Sequence, residues 1–176
     1  MGRIGQAIAK RAAGFNMQVI YNNRNRVDST IEHDCKSTFK TKEALLNEAD
    51  FVVLALPFTK SNYHIIAAKE LELMKPSAIL INIARGGLID EAALAEALHQ
   101  KKIAAAALDV FEEEPVIYAG LLDLPNVVLT PHIAGATADT QYGLASAGAD
   151  NLIAALGYGA DAFKPPAILN PEVLKR

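Results

Sequence analysis

Tryptophan is absent from the 176 residues, and only 6% of them are aromatic, so aliphatic side chains must make the core. The one cysteine, Cys35, excludes an internal disulfide and fits a reducing setting. No basic or helix-capping neighbour marks it as a reactive thiol. Excess positive charge is lacking too: the net charge is −3, and no basic stripe offers a surface to nucleic acid. No apolar run approaches the length that crosses a bilayer. The opening MGRIGQAIAKR reads as a helix start rather than a signal peptide. These absences point to a cytoplasmic protein, with no metal site, repeat or low-complexity segment expected.

What is present is alternation. Residues 2–14 suit a helix with Ile4, Ile8 and Ala12 on one face, and Gly14 can end it in the left-handed conformation. A strand is expected at 17–22, then a helix at 41–49 with Thr41 as N-cap. FVVLAL (51–56), ended by Pro57, reads as a strand buried on both faces. One or two short helices fall in 61–74, and AILINI (78–83) is the next strand. Asp90 caps a helix to about Gln100 with Leu94, Ala97 and Leu98 inward. IAAAAL (103–108) and NVVLT (126–130) are further strands, and 137–156 is a last long helix before an irregular tail. This order predicts an α/β fold with a parallel sheet covered by helices on both faces.

Polar residues stand just past the apolar runs: Arg85 after SAILINIA, Asp109 after IAAAAL, Glu114 five residues on, and His132 after NVVLTP. In parallel strands these gather at the carboxyl edge of the sheet, where open α/β sheets bind ligands. An arginine, an acid and a histidine there suit acid/base chemistry with an anion clamp. Gly2-Arg3-Ile4-Gly5 reads as the last part of G-x-G-x-x-G, whose first glycine and preceding strand this sequence does not contain. A Rossmann-type doubly wound sheet lacking its first strand is therefore expected, with two internal strand edges open. Near the position where an acid binds the ribose of NAD stands Asn23, followed by Arg24 and Arg26. A neutral residue with guanidinium groups beside it suits a 2′-phosphate, so NADPH is favoured, with NAD as the second choice.

From end to end the chain resembles the cofactor-binding domain of the D-isomer-specific 2-hydroxyacid dehydrogenases, nearest the glyoxylate/hydroxypyruvate (2-ketogluconate) reductases. The matching stretches are GRIGQAIAKR, YNNRNR, VLALPFT, LINIARGGLIDEAAL, AALDVFEEEP and NVVLTPHIAGAT. The resemblance implies that Arg85 holds the substrate carboxylate and keto oxygen, that His132 is the acid/base, and that Glu114, the acid before Pro115, pairs with it. It further implies cofactor contacts from Gly2, Arg3, Ile4 and Gly5 at the pyrophosphate, Asn23, Arg24 and Arg26 at the ribose, and Pro57 on the adenosine side. Ile83 would offer backbone, Asp109 would take the nicotinamide carboxamide, and Ala134 and Gly135 would approach the ring. On this reading residues 1–156 form an incomplete dinucleotide-binding domain of an N-terminally truncated chain, and 157–176 form a tail returning to a substrate domain. The implied activity is NADPH-dependent reduction of a small 2-keto acid to the D-2-hydroxy acid, impaired in this fragment, by a homodimer. The alternatives are a non-catalytic dinucleotide-binding protein of co-repressor type and an inactive remnant.

Overall fold

The computed structural model describes residues 1–174. They fall into two compact units, Met1–His132 and a second that begins at Ile133. The boundary expected after residue 156 lies inside the second unit, just past its helix. In chain order the first unit contains α1 (Arg3–Ala12), β1 (Val19–Tyr21), α2 (Ser29–Asp34), β2 (Ser37–Phe39), α3 (Lys42–Glu48), β3 (Phe51–Leu54) and α4 (Ala68–Leu73). Then follow β4 (Ile79–Asn82), α5 (Glu91–His99), β5 (Ala105–Leu108), α6 (Ala119–Leu122) and β6 (Val127–Leu129). The second unit holds α7 (Ala138–Ala155), capped by the Thr137 side chain, which accepts from the Thr140 N–H.

Local signals account for most of these boundaries. Thr41 accepts from the Ala44 N–H and Asp90 from the Ala93 N–H, so both expected caps form. The left-handed residue after the first helix is Asn16 (φ 56°), not Gly14. A 3₁₀ turn at Ala13–Phe15 carries the helix past the glycine, and asparagine tolerates that conformation. Three short elements, α2, β2 and α6, lie where no regular structure was expected. They are too short to show a hydrophobic period, although Asp28 does cap α2 by accepting from the Thr30 N–H at 2.8 Å.

All strand pairs are parallel, as in a Rossmann-type sheet, in the orders β1–β2 and β3–β4–β5–β6. Among the described residues β1 pairs only with β2, and β3 only with β4, so each keeps one open edge, as the glycine motif led us to expect. Between them lies a cleft of about 900 Å³ lined by Ile20, Val53 and Ile81 among others. FVVLAL is consequently not covered on both faces: Phe51 is exposed and Val53 half-buried, while Val52 and Leu54 are buried. The main core sits on the four-stranded sheet, where Leu80, Ala106 and Leu108 pack with Leu71, Leu88, Leu94, Leu98 and Leu121.

Candidate active site

Register assembles the site. Asn82, Leu108 and Leu129 are lateral neighbours across β4, β5 and β6, so the chain leaves all three strands at the same level. The next residues on each strand, Ile83–Arg85, Asp109 and Thr130–His132, therefore emerge together. Asn82, almost fully buried, stabilises the first exit. Its Oδ1 accepts from the Ala84 N–H (3.0 Å) and its Nδ2 donates to the Arg85 carbonyl (2.9 Å). Arg85 is exposed, and its Nη1 donates to the Ala84 carbonyl. At the second exit the buried Asp109 accepts from the Thr130 hydroxyl at 2.6 Å, tying β5 to β6.

Glu114 and His132 meet. The carboxylate Oε2 lies 2.8 Å from His132 Nδ1, and Oε1 accepts from the Phe111 N–H at 2.9 Å. With Nδ1 engaged by a carboxylate, Nε2 is the nitrogen left for a substrate. The hydrogen bond with His132 comes first among the causes that hold the Glu114 carboxyl below its ordinary value. The Phe111 amide follows, and Arg85 adds its charge. His132 has φ 54°, a left-handed conformation that its short turn imposes, its N–H donating to the Thr130 carbonyl.

The neighbouring acids have other partners. Glu112 accepts from the Tyr63 hydroxyl (2.5 Å) and lies 3.0 Å from His64 Nε2. Its N–H donates to Glu91, a buried carboxylate whose pKa burial pushes up. Gly86 closes the arrangement. A Cβ there would stand 1.8 Å from the Phe111 carbonyl carbon, so the loop bearing Arg85 lies directly on the segment bearing Glu114. Sequence reasoning missed Asn82, Glu91 and His64. The visible signals were a polar residue inside an apolar run and an acid beside a helix cap; nothing marked His64. The half-buried Ile83 follows β4, and the exposed Pro57 follows β3 with its carbonyl accepting from Asn62 Nδ2.

A second group lies at the end of β1. Gly2 is the N-cap of α1, in extended conformation, with no side-chain cap and no acid in the first turn. The exposed Arg3 and Ile4 thus begin a ten-residue helix whose first amides have no side-chain partner. Such a terminus favours an anion. Gly5 is half-buried, and the Met1 amino group donates to Asn23 Oδ1 at 2.5 Å, bringing this turn beside the end of β1. Arg24 is exposed and has no partner among the described residues, whereas Arg26 forms a two-pronged pair with Glu32. Ala134 and Gly135 follow Ile133 at the start of the second unit, both exposed. Cys35 is fully buried, in keeping with an unreactive thiol.

Comparison with known proteins places these observations. The family model for the NAD binding domain of D-isomer specific 2-hydroxyacid dehydrogenases matches residues 1–134. A glyoxylate reductase of Thermococcus gammatolerans is 51% identical over 99% of this chain and 51% of its own length. A glyoxylate/hydroxypyruvate reductase B of Pectobacterium atrosepticum is 49% identical over 99% of this chain and 54% of its own. Among solved structures, an NADPH-dependent glyoxylate/hydroxypyruvate reductase from Sinorhizobium meliloti, in complex with NADP and malonate, superposes with a TM-score of 0.82. It is 35% identical, over 95% of this chain and 53% of that one. The chain spans about half the length of the curated relatives it matches.

Proposed function

The chain belongs to the D-isomer-specific 2-hydroxyacid dehydrogenases as their NAD(P)-binding domain, and from that premise we propose that it serves NADPH-dependent reduction of a small 2-keto acid of the glyoxylate or hydroxypyruvate type. The observation that carries the reading is the Glu114–His132 pair, 2.8 Å apart at the carboxyl edge from which Arg85 also emerges. A dinucleotide fits the residues present: the uncapped start of α1 suits a pyrophosphate, and the unpartnered Arg24 suits a 2′-phosphate. Gly2, Arg3, Ile4 and Gly5 would hold the pyrophosphate, and Asn23 and Arg24 the ribose end, while Arg26, expected there too, is engaged by Glu32. Pro57, Ile83 and Asp109 would line the remainder. When bound, the cofactor supplies the hydride.

The residues do the rest. Arg85 can form two parallel hydrogen bonds to a carboxylate, which fixes the face of the keto carbon presented. His132, with Nδ1 on Glu114, gives the proton at Nε2 to the carbonyl oxygen as that oxygen becomes an alkoxide. Glu114, kept ionised, orients the ring and favours its charged form. Two copies associate as a homodimer, a reading supported by Tyr142, Leu144 and Leu152 exposed on α7.

The test is a fluorescence titration of the purified chain with NADPH, followed by glyoxylate in the same cuvette. Tight binding supports the cofactor reading, and loss of the NADPH signal on adding glyoxylate supports turnover by the chain itself. His132→Ala should lower kcat by roughly 10²–10⁴-fold while leaving NADPH affinity nearly unchanged. Retained turnover would place the proton donor elsewhere.

A further inference from the structure

The loop from Asn22 to Val27 carries two arginines, and the structure treats them differently. Arg26 meets the carboxylate of Glu32 through both ends, Nε to Oε1 at 2.8 Å and Nη2 to Oε2 at 2.7 Å. The same Oε1 accepts from the hydroxyl of the buried Tyr21 at 2.6 Å, and that hydroxyl accepts from the Val27 N–H at 3.1 Å. Tyr21, the last residue of β1, thereby ties the far end of the loop to its start. Glu32 is only 12% exposed in its side chain, against 65% for Arg26, so the anchor lies on the protein side. These contacts hold the Glu32 carboxyl down at about 2, so it is ionised throughout the physiological range. The other acid nearby, Asp28, is engaged by the Thr30 N–H. Arg24 stands two residues before Arg26, exposed and unpartnered among the described residues.

We propose that Glu32 is a specificity-determining residue: it withholds Arg26 from the cofactor, leaves Arg24 as the single guanidinium for a 2′-phosphate, and so limits how strongly NADPH is preferred over NADH. A carboxylate gripping both ends of one guanidinium competes directly with a phosphate for the same fork of donors. The proposal rests on the cofactor reading above and separates the two arginines that sequence alone left equivalent.

The experiment is NADPH and NADH titration of the 176-residue chain and four variants, read as the Kd for NADH divided by the Kd for NADPH. Arg24→Met should reduce the preference for NADPH about tenfold, the scale of one charge-assisted hydrogen bond. Arg26→Met should leave the ratio where it was. Glu32→Gln keeps an acceptor for Tyr21, removes the competing charge, and should raise the preference about threefold, as expected for an exposed ion pair. Glu32→Gln combined with Arg26→Met should return it to the wild-type value. A fall in the ratio with Arg26→Met alone would overturn the proposal, and so would no rise with Glu32→Gln. If Glu32→Gln does not fold, the two arginine variants still decide. A wild-type ratio near one would count against NADPH preference itself, while a rise on Glu32→Gln would still uphold the role of Glu32.

Discussion

The two sheets of the first unit are built from the same parallel strand, yet they are held differently. β4 and β5 are flanked on both sides, and their inward residues, Leu80 and Ala106, are buried among leucines from α4, α5 and α6. Among the described residues β1 and β2 pair only with each other, and Ile20 lines the cleft beside β3. The acid/base residues follow strands of the four-stranded sheet, and the residues proposed for the cofactor's phosphates lie at the start of α1 and just past β1. Geometry that must be held to a few tenths of an ångström rests on the packed half. The half proposed to grip anions uses backbone amides and exposed guanidinium groups, which need less core behind them.

The sharpest way to break this comparison is at the joint between the Arg85 and Glu114 segments. Gly86→Ala drives a Cβ into the Phe111 backbone, which cannot yield without moving Glu114. We expect a loss of about 3 kcal/mol in urea unfolding, at the upper end of overpacking. A loss under about 1 kcal/mol would mean that the two segments are not rigidly joined. Next comes a matched pair of truncations. Leu80→Ala, fully buried on β4, should cost about 2–5 kcal/mol. Ile20→Ala, half-buried on β1, should cost roughly 1 kcal/mol. Equal costs would erase the distinction between the sheets.

Much of this arrangement was legible in the sequence, and the reasons are local. The strands over 51–56, 78–83, 103–108 and 126–130 announce themselves as continuous apolar runs, and Thr41 and Asp90 mark helix starts because their side chains satisfy first-turn amides. Placing Arg85, Asp109 and His132 at one edge required only that the strands be parallel. Other features were hidden because they depend on what lies opposite in space. α2 and β2 are six and three residues long, too short for a period to register. Nothing in YNNRNR says that Arg26 is held by Glu32 and Arg24 is not. Similarly, FEEEP does not reveal that Glu112 serves Tyr63 and His64, although the acid before Pro115 was legible as the partner of His132.

A smaller effect should appear in hydrogen exchange. The amides of β4 and β5 are shielded by strands on both sides, whereas β1 and β3 each present one open edge to the cleft. Protection should therefore be highest in β4 and β5, with local opening preceding global unfolding in β1 and β2. Uniform protection across both sheets would show that they open as one unit.

The least of the expected effects concerns two carboxylates, Glu114 past β5 and Glu32 on α2. Glu114 and Glu32 both have pKa values held below the ordinary one, the first chiefly by His132 and the second, at about 2, chiefly by Arg26. A depressed carboxylate stabilises the fold fully above its unfolded value near 4.5, and that contribution disappears as the pH falls through the folded value. For Glu32 the window runs from about 4.5 down to about 2. The melting temperature of the wild type should exceed that of Glu32→Gln at pH 6, and the gap should narrow below pH 4.5 and close near pH 2. Because Arg26 is mostly exposed, the gap should be small and should shrink further in high salt. A gap that does not change with pH would mean that Glu32 holds the β1 loop through shape and hydrogen bonding alone. The two arginines of that loop would then differ for a reason other than charge.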